Sequence, residues 1–273
     1  MTESFSFKEN YNCEDLLRIV EILRAPGGCP WDAEQTHESI KKNFIEETYE
    51  VIGAINKKDT ALLCEELGDV LLQVALHTEM EKEKGTFCFN DVCDGICKKL
   101  IVRHPHVFSD VSVSSTDEVL KNWDAIKMQT KQQKSTTDSM ESIPRELPAL
   151  MRSQKLQQKA AKVGFDWSDI KGALAKVHEE TAELEQAVCA GEQAQIQDEL
   201  GDLLFAAVNV ARFAKTDAEE ALTGAADKFM RRFALVEKMA KERSIDMKSA
   251  GIEALDRMWD EAKEFLKAQE NNC

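Results

Sequence analysis

The stretch EETYEVIGAINKKDTALLCEELGD, residues 46–69, occurs a second time in the chain as EETAELEQAVCAGEQAQIQDELGD, residues 179–202. In each copy two acidic residues three apart are followed, 19 residues later, by a second acidic pair within Glu-Leu-Gly-Asp. Adding 133 to the number of each acidic residue of the first copy gives its counterpart in the second. The repeat indicates an internal duplication. The two equivalent sets are Glu47, Glu50, Glu66 and Asp69, and Glu180, Glu183, Glu199 and Asp202.

Composition and length favour an all-α protein with two domains. The 273 residues are enough for two domains that each bury a core, and 12 glycines and 5 prolines are few for a turn-rich sheet protein. No strand-like alternation of useful length occurs. Residues 128–144 are polar, lack a hydrophobic period and end in proline, which predicts a linker or mobile loop. We therefore expect helical domains over residues 10–127 and 145–267.

Charge and cysteine usage exclude several classes of partner. The net charge is −15 and no basic block occurs, so polymeric nucleic acid is not an expected partner, because its binding depends on clustered Lys and Arg. No apolar run approaches membrane-spanning length and no signal segment is recognisable, so no membrane partner is expected. The eight cysteines are scattered without a CxxC motif, which is typical of reduced thiols. These features predict a cytoplasmic protein.

The second copy has a helical hydrophobic period. Residues at steps of three and four predict a helix with one stripe facing the core. At about 100° per residue, Glu180 and Glu183 fall on the flank of that stripe. The stripe comprises Leu174, Val177, Thr181, Leu184 and Val188.

The next helix, ELGDLLFAAVNVARFA at residues 199–214, is apolar nearly all round and is expected to be largely buried. Its polar residues Glu199, Asp202 and Asn209 share one face. Carboxylates on a buried helix cannot stay ionised without compensation, and a hard divalent cation with oxygen ligands supplies it. The sequence therefore predicts a metal site, with Mg²⁺ as the ion. Gly201, in the middle of the helix, would give clearance for a ligand or a neighbouring helix.

The duplicated EExxE and ELGD motifs, with GCPWD near the start and RHPHVF and VGFDW further along, resemble those of MazG-type nucleoside triphosphate pyrophosphohydrolases. The resemblance implies tandem four-helix-type domains that pair as homodimers. It also implies Mg²⁺-dependent hydrolysis of nucleoside triphosphates, deoxy forms included, to the monophosphate and pyrophosphate, in nucleotide-pool housekeeping. On this resemblance Glu180, Glu183, Glu199 and Asp202 hold the metal, with Glu47, Glu50, Glu66 and Asp69 as the parallel set.

The same resemblance draws attention to cations and aromatic residues near the end of each repeat. Lys228 and Arg232, one helical turn apart, suit a phosphate chain, while Trp259 suits the base and Lys263 a phosphate or the sugar. Lys176 and Glu179, beside Glu180, are weaker candidates for substrate contact. The first repeat has the corresponding residues Lys99, Arg103, Trp123 and Lys127. Without the resemblance, the plain interpretation is surface cations and a core tryptophan.

The predicted chemistry is a single-step attack of water on the α-phosphorus. Glu180 or Glu183 would orient or deprotonate the water, and no Ser-His-Asp arrangement or P-loop motif offers another route. Asn209 could contact the sugar or base, whereas the first copy has Leu76 at that position, so the second copy is predicted to have the more complete pocket. The alternative function is a non-catalytic acidic helical module that binds nucleotides or a regulatory protein.

Overall fold

The computed structural model describes residues 5–116, 118–119, 122–123, 125–126 and 135–270, and every regular element in these ranges is helical. The chain divides into two compact units, Met1–Lys127 and Met128–Cys273. The first contains α1 (Cys13–Arg24), α2 (Pro30–Glu34), α3 (His37–Lys57), α4 (Thr60–Glu83), α5 (Phe89–Arg103) and α6 (Pro105–Phe108). The second contains α7 (Thr136–Glu141), α8 (Ala149–Lys162), α9 (Ile170–Ala190), α10 (Gln193–Phe213), α11 (Ala218–Glu242) and α12 (Ile252–Glu270). None of the helices described is long and apolar enough to cross a lipid bilayer.

The acidic motifs lie on one pair of long helices in each unit. α3 packs against α4 in the first unit, and α9 packs against α10 in the second. A two-residue turn joins each pair, so the helices run antiparallel and their acidic residues face each other. A left-handed residue follows each first helix, Lys58 with φ of 57° and Gly191 with φ of 74°. Glycine adopts this conformation without a steric cost, so the second turn is the less strained.

The two units bury different helices in their main clusters. In the first unit α1 packs across α4, and the cluster consists of Val20, Ile40, Ala75, Leu76 and Met80. In the second unit α11 packs against α12, and the cluster consists of Val236, Ala240, Met258 and Ala262. α8 packs against both α10 and α11, and its Gln154 accepts a hydrogen bond from the backbone N–H of Ala218 at the start of α11. The second acidic helix of the first unit therefore supplies core residues, whereas its counterpart α10 lies outside the main cluster.

The prediction of which residues of α9 face the core is wrong by one position along the helix. The buried residues of α9 are Ala173, Glu180 and Ala187, which are seven apart, whereas Leu174 and Val188 are 42% and 56% exposed. Small alanines occupy the line of contact because they let α10 approach closely, and the larger apolar side chains lie beside it. Glu180 consequently points into the helix pair instead of lying on its flank.

α10 is buried only in its C-terminal half, so the prediction of a largely buried helix is also partly wrong. Ala206 and Asn209 are buried, whereas Leu200 and Leu204 are 45% and 50% exposed. Within one chain α8 and α9 leave the side of α10 that carries these leucines uncovered. A Cβ atom at Gly201 would meet no described atom within 4 Å. This glycine therefore lies on an open face and not against a helix of its own unit.

The segment predicted to be a linker or mobile loop contains a helix in the part that is described. At the start of α7, the Ser135 hydroxyl accepts a hydrogen bond from the Asp138 backbone N–H, and the Asp138 carboxylate accepts one from Ser135, both at 3.0 Å. α7 packs against α8, and Ser139 and Ile143 are buried. Hydrophobic periodicity in the sequence does not reveal this helix, because the helix consists of a capping box and one packed turn. Residues 128–134 of the predicted linker lie outside the described residues.

Candidate active site

The second acidic set converges between α9 and α10. Carboxylate oxygens of Glu180, Glu199 and Asp202 lie within 4.8 Å of one another, and those of Glu179, Glu180 and Glu183 form a second such group. Glu180 belongs to both groups and is 3% exposed, so it is the buried centre of the cluster. The antiparallel helix pair thus brings all four predicted metal ligands of the second copy to one place, together with Glu179.

Lys176 contacts the cluster from one side. Its ammonium lies 2.5 Å from Oε1 of Glu180 and 2.9 Å from Oε1 of Glu179. These hydrogen bonds, the one to Glu180 first, hold the pKa of Lys176 well above its usual range. In this conformation the lysine neutralises carboxylates, whereas the sequence predicted a substrate contact. Oε2 of Glu180 is buried and has no hydrogen-bond partner, which is costly for a carboxylate oxygen unless a ligand supplies the missing interaction.

The positive charge of Lys176 does not fully neutralise the carboxylates of the cluster. Desolvation, followed by the charges of Glu180 and Glu199, raises the pKa of Glu183 above its ordinary value. A raised carboxylate pKa means that the folded chain disfavours the ionised form. The second set is therefore an anionic cluster in which a bound cation would gain electrostatic energy.

The first acidic set has a similar arrangement without a lysine. Carboxylate oxygens of Glu47, Glu66 and Asp69 lie within 4.8 Å of one another. Desolvation and then Asp69 and Glu50 raise the pKa of Glu47, while desolvation and then the hydrogen bond with Glu50 raise that of Glu66. Among the described residues no cation forms an ion pair with these carboxylates, and Asn43 stands where the second copy has Lys176. Both copies thus keep a convergent set of oxygens, but within the described residues only the second contains its own counter-ion.

A cavity of about 590 Å³ begins one turn beyond Asp202 on α10. Phe205 and Asn209 contribute from α10, Gln157 from α8, and Trp167 from the loop between α8 and α9. Asn209 is buried because it lies in the C-terminal half of α10, whereas Asp202 on the same face is exposed. The cavity is a mostly apolar, partly aromatic space with a few polar groups, and it begins one helical turn along α10 from Asp202.

Arg212 organises the polar wall of this cavity. Its Nε donates to Oδ1 of Asn209 at 2.8 Å, and its two terminal nitrogens donate to Asp166 at 2.9 and 2.5 Å. The hydrogen bonds from Arg212 hold the pKa of Asp166 below its usual range. Because every nitrogen of the guanidinium has a partner, Arg212 serves to position Asn209 and the loop.

Gly172 makes room for the aromatic wall. It lies in the first turn of α9, and a Cβ atom there would overlap the indole ring of Trp167. Any larger residue would push the ring out of its place. The absence of a side chain at Gly172 therefore leaves the space that the indole ring of Trp167 occupies.

The predicted phosphate- and base-binding residues lie on α11 and α12. The Arg232 guanidinium lies 5.7 Å from the ring centroid of Trp259, so these two residues are brought together. In the described part of the chain neither Lys228, Arg232 nor Lys263 forms an ion pair with a carboxylate, and Nε of Arg232 is buried without a partner. These cations are therefore free to accept an anionic group, although α11 and α12 do not bring them into an ion pair with the acidic cluster.

The corresponding residues of the first unit are only partly described. Lys99 and Arg103 lie on α5, and the ring of Trp123 lies 5.8 Å from that of His104. Lys127 lies outside the described residues. The prediction of a second, parallel substrate site therefore stays a prediction.

Several residues around the cavity were not selected from the sequence. Asp166 and Trp167 belong to the GFDW element, which was noted as a motif but was given no role. Phe205 and Arg212 lie in the apolar helix 199–214, where the spacing of polar residues points to Glu199, Asp202 and Asn209 but not to these two. Gln157 stands in a run of polar residues on α8 and has no sequence signal. Only the packing of α8 on α10 shows that these residues share a wall.

Comparison with known proteins connects this geometry to a family. The MazG nucleotide pyrophosphohydrolase domain matches residues 35–108 and 169–237, which contain the two acidic sets. A nucleoside triphosphate pyrophosphohydrolase from Escherichia coli strain K12 is 45% identical over 251 residues, covering 91% of this chain and 95% of that protein. The nucleoside triphosphate pyrophosphohydrolase/pyrophosphatase MazG of Thermotoga maritima is 43% identical over 250 residues, with 92% and 95% covered. The uncharacterized protein YabN of Bacillus subtilis is 49% identical over 249 residues, which is 90% of this chain and 50% of that protein.

Proposed function

Because the chain belongs to the MazG nucleotide pyrophosphohydrolase family, we propose that it hydrolyses nucleoside triphosphates at the α-phosphorus and that its second repeat carries the reaction. The products are a nucleoside monophosphate and pyrophosphate. Membership of the family accounts for the hydrolysis of nucleoside triphosphates. The proposal adds which repeat and which residues of this chain carry out the reaction. One observation carries that assignment: α10 continues past Asp202 into Asn209, which lines a cavity, whereas the equivalent Leu76 of the first repeat is packed in a hydrophobic cluster.

The second set fits a hard divalent cation. It offers three carboxylate oxygens within 4.8 Å of one another and a buried Glu180 oxygen without a donor. Oxygen ligands of this kind suit Mg²⁺, which we propose as the cofactor held by Glu180, Glu183, Glu199 and Asp202. Such an ion neutralises the charge that builds on phosphate oxygens as pyrophosphate leaves.

The side chains of the second repeat have separate roles in this proposal. Glu183 is a carboxylate of raised pKa beside the buried Glu180, and one of the two orients the attacking water and accepts its proton. Lys228 and Arg232 bind the phosphate chain as a point charge and a forked donor. Lys263 and Trp259 lie one turn apart on α12 and complete the contacts to the nucleotide.

The exposed apolar face of α10 supports a homodimer. Leu200 lies between Glu199 and Asp202, Leu204 follows one turn later, and in a single chain about half of each residue is open to water. A second copy that covers this face would also desolvate the cluster and strengthen its electrostatic interactions. Light scattering would test the oligomeric state directly. We expect twice the mass of one chain, and a monomer at micromolar concentration would contradict the dimer.

The decisive experiment follows the products and the position of the attack. The protein is incubated with each common triphosphate and Mg²⁺ in ¹⁸O-labelled water. We expect monophosphate and pyrophosphate, with the label in the monophosphate, because water attacks the α-phosphorus. Diphosphate with inorganic phosphate, or label in the pyrophosphate, would contradict this mechanism. No turnover with any triphosphate would favour the alternative of a binding module.

A further inference from the structure

Gln157 is a buried polar residue whose hydrogen bonding is incomplete. Its side chain reaches from α8 into the wall of the cavity, and the residue is 6% exposed. Nε2 donates to the backbone carbonyl of Phe205 at 2.8 Å, while Oε1 is buried without a partner. The alternative amide orientation would place two acceptors against each other, so the Phe205 carbonyl fixes Oε1 as the free atom. A buried acceptor of this kind calls for a donor from a ligand.

Asn209 presents the complementary group to the same cavity. Its Oδ1 accepts from Arg212, so its amide nitrogen is the atom left to donate. Arg212 is itself held by Asp166, which keeps the amide from turning. The cavity wall therefore carries one free acceptor and one free donor, both oriented by the protein before any ligand binds.

The position of this pair suits the base of a nucleotide. Asn209 lies seven residues beyond Asp202 on α10, which is about 10 Å along the helix. A nucleoside bridges a comparable distance between its α-phosphate and the far edge of its base. Trp167 and Phe165 line the same cavity with exposed aromatic surface, on which a base can stack.

We propose that Gln157 is a base-reading residue, whose Oε1 accepts a hydrogen bond from an N–H group on the Watson–Crick edge of the substrate base. The inference rests on the proposed function and deepens it, because it assigns the base to this cavity instead of to Trp259 and names the atom that selects it. A base without an N–H at this edge leaves Oε1 unsatisfied. We expect such a substrate to lose on the order of ten- to a hundredfold in kcat/KM.

Two matched substrate pairs test this role. ATP is compared with purine riboside triphosphate, which lacks the 6-amino group, and CTP with zebularine triphosphate, which lacks the 4-amino group. In the wild-type protein we expect the amino-bearing member to be preferred in at least one pair. In Gln157→Met the preference should fall to near unity, mainly through a lower kcat/KM for the amino-bearing substrate. The ratio does not depend on the fraction of folded enzyme, so a purely structural loss would leave it unchanged.

A control variant lies next to Gln157 on the same helix. Gln158 is exposed and carries the same side chain, so Gln158→Met should keep the wild-type ratio. No preference in the wild-type protein, or an equal preference in Gln157→Met, would overturn the assignment of Gln157 while leaving the hydrolase proposal intact. Absence of turnover with all four triphosphates would instead contradict the proposed function itself.

Discussion

The two acidic repeats share their carboxylates and differ in the structure around them. In the first repeat α4 continues past Asp69 into Leu72 and Leu76, which pack into the core of the unit. In the second repeat α10 continues past Asp202 into Phe205 and Asn209, which line a cavity. The duplicated carboxylates are therefore kept in both copies, whereas the space beyond them is open in the second copy and filled by core residues in the first.

The largest effect is expected from the carboxylates themselves. Glu180→Gln combined with Glu183→Gln should lower pyrophosphate release by about a thousandfold or more, because the charge that holds the cation and activates water is lost. The matched variant, Glu47→Gln with Glu50→Gln, should retain most of the activity. An initial-rate assay for pyrophosphate distinguishes the two, and the reverse result would assign catalysis to the first repeat.

Giving the first repeat the asparagine of the second should cost stability. Leu76 is 4% exposed and belongs to the buried cluster, so Leu76→Asn buries an unpaired amide and should lower the free energy of unfolding by about 3 kcal/mol. Urea denaturation measures the loss. Leu76→Met preserves volume and should cost less than about 1.5 kcal/mol. Equal stability of the two variants would show that this position is not part of a packed core.

The reciprocal change should affect catalysis more than folding. Asn209→Leu removes a donor from the cavity and a partner from Arg212, and we expect kcat/KM to fall about tenfold. Steady-state kinetics with the preferred triphosphate measures the effect, and a thermal melt of the same sample verifies folding. Unchanged kinetics in a folded variant would exclude Asn209 from the substrate site.

The smallest effect is a pH dependence of stability in the absence of divalent cations. Glu47, Glu66 and Glu183 have pKa values above their ordinary range, first through desolvation and then through neighbouring acidic residues. The folded chain therefore binds more protons than the unfolded chain above the ordinary glutamate pKa, and stability falls as pH rises through the raised values. The melting temperature in EDTA should decrease over this window. Glu47→Gln with Glu66→Gln should flatten the decrease, and a rise with pH would contradict the assignment.

Much of this arrangement could be predicted from the sequence, because it depends on spacing along a helix. The all-α class and the convergence of Glu180, Glu199 and Asp202 follow from a 3.6-residue period and one short turn. The buried face of α9 could not be predicted in the same way, since small alanines form the contact line and larger residues lie beside it. The proposed role of Gln157 could not be predicted from the sequence for a different reason. Its role depends on a carbonyl 48 residues away, at Phe205, and a tertiary contact of this kind leaves no local pattern.

The ion pair between Lys176 and Glu180 has a consequence for which ions the second cluster admits. The lysine lies one helical turn from its partner, so its ammonium competes for the carboxylate at an effective concentration far above that of dissolved salt. A monovalent ion brings no more charge than the ammonium it would replace, whereas a divalent ion does. We therefore expect a divalent ion to displace the ammonium of Lys176 from Glu180 more readily than a monovalent ion does. The first cluster, with Asn43 at the equivalent position, has no ammonium there.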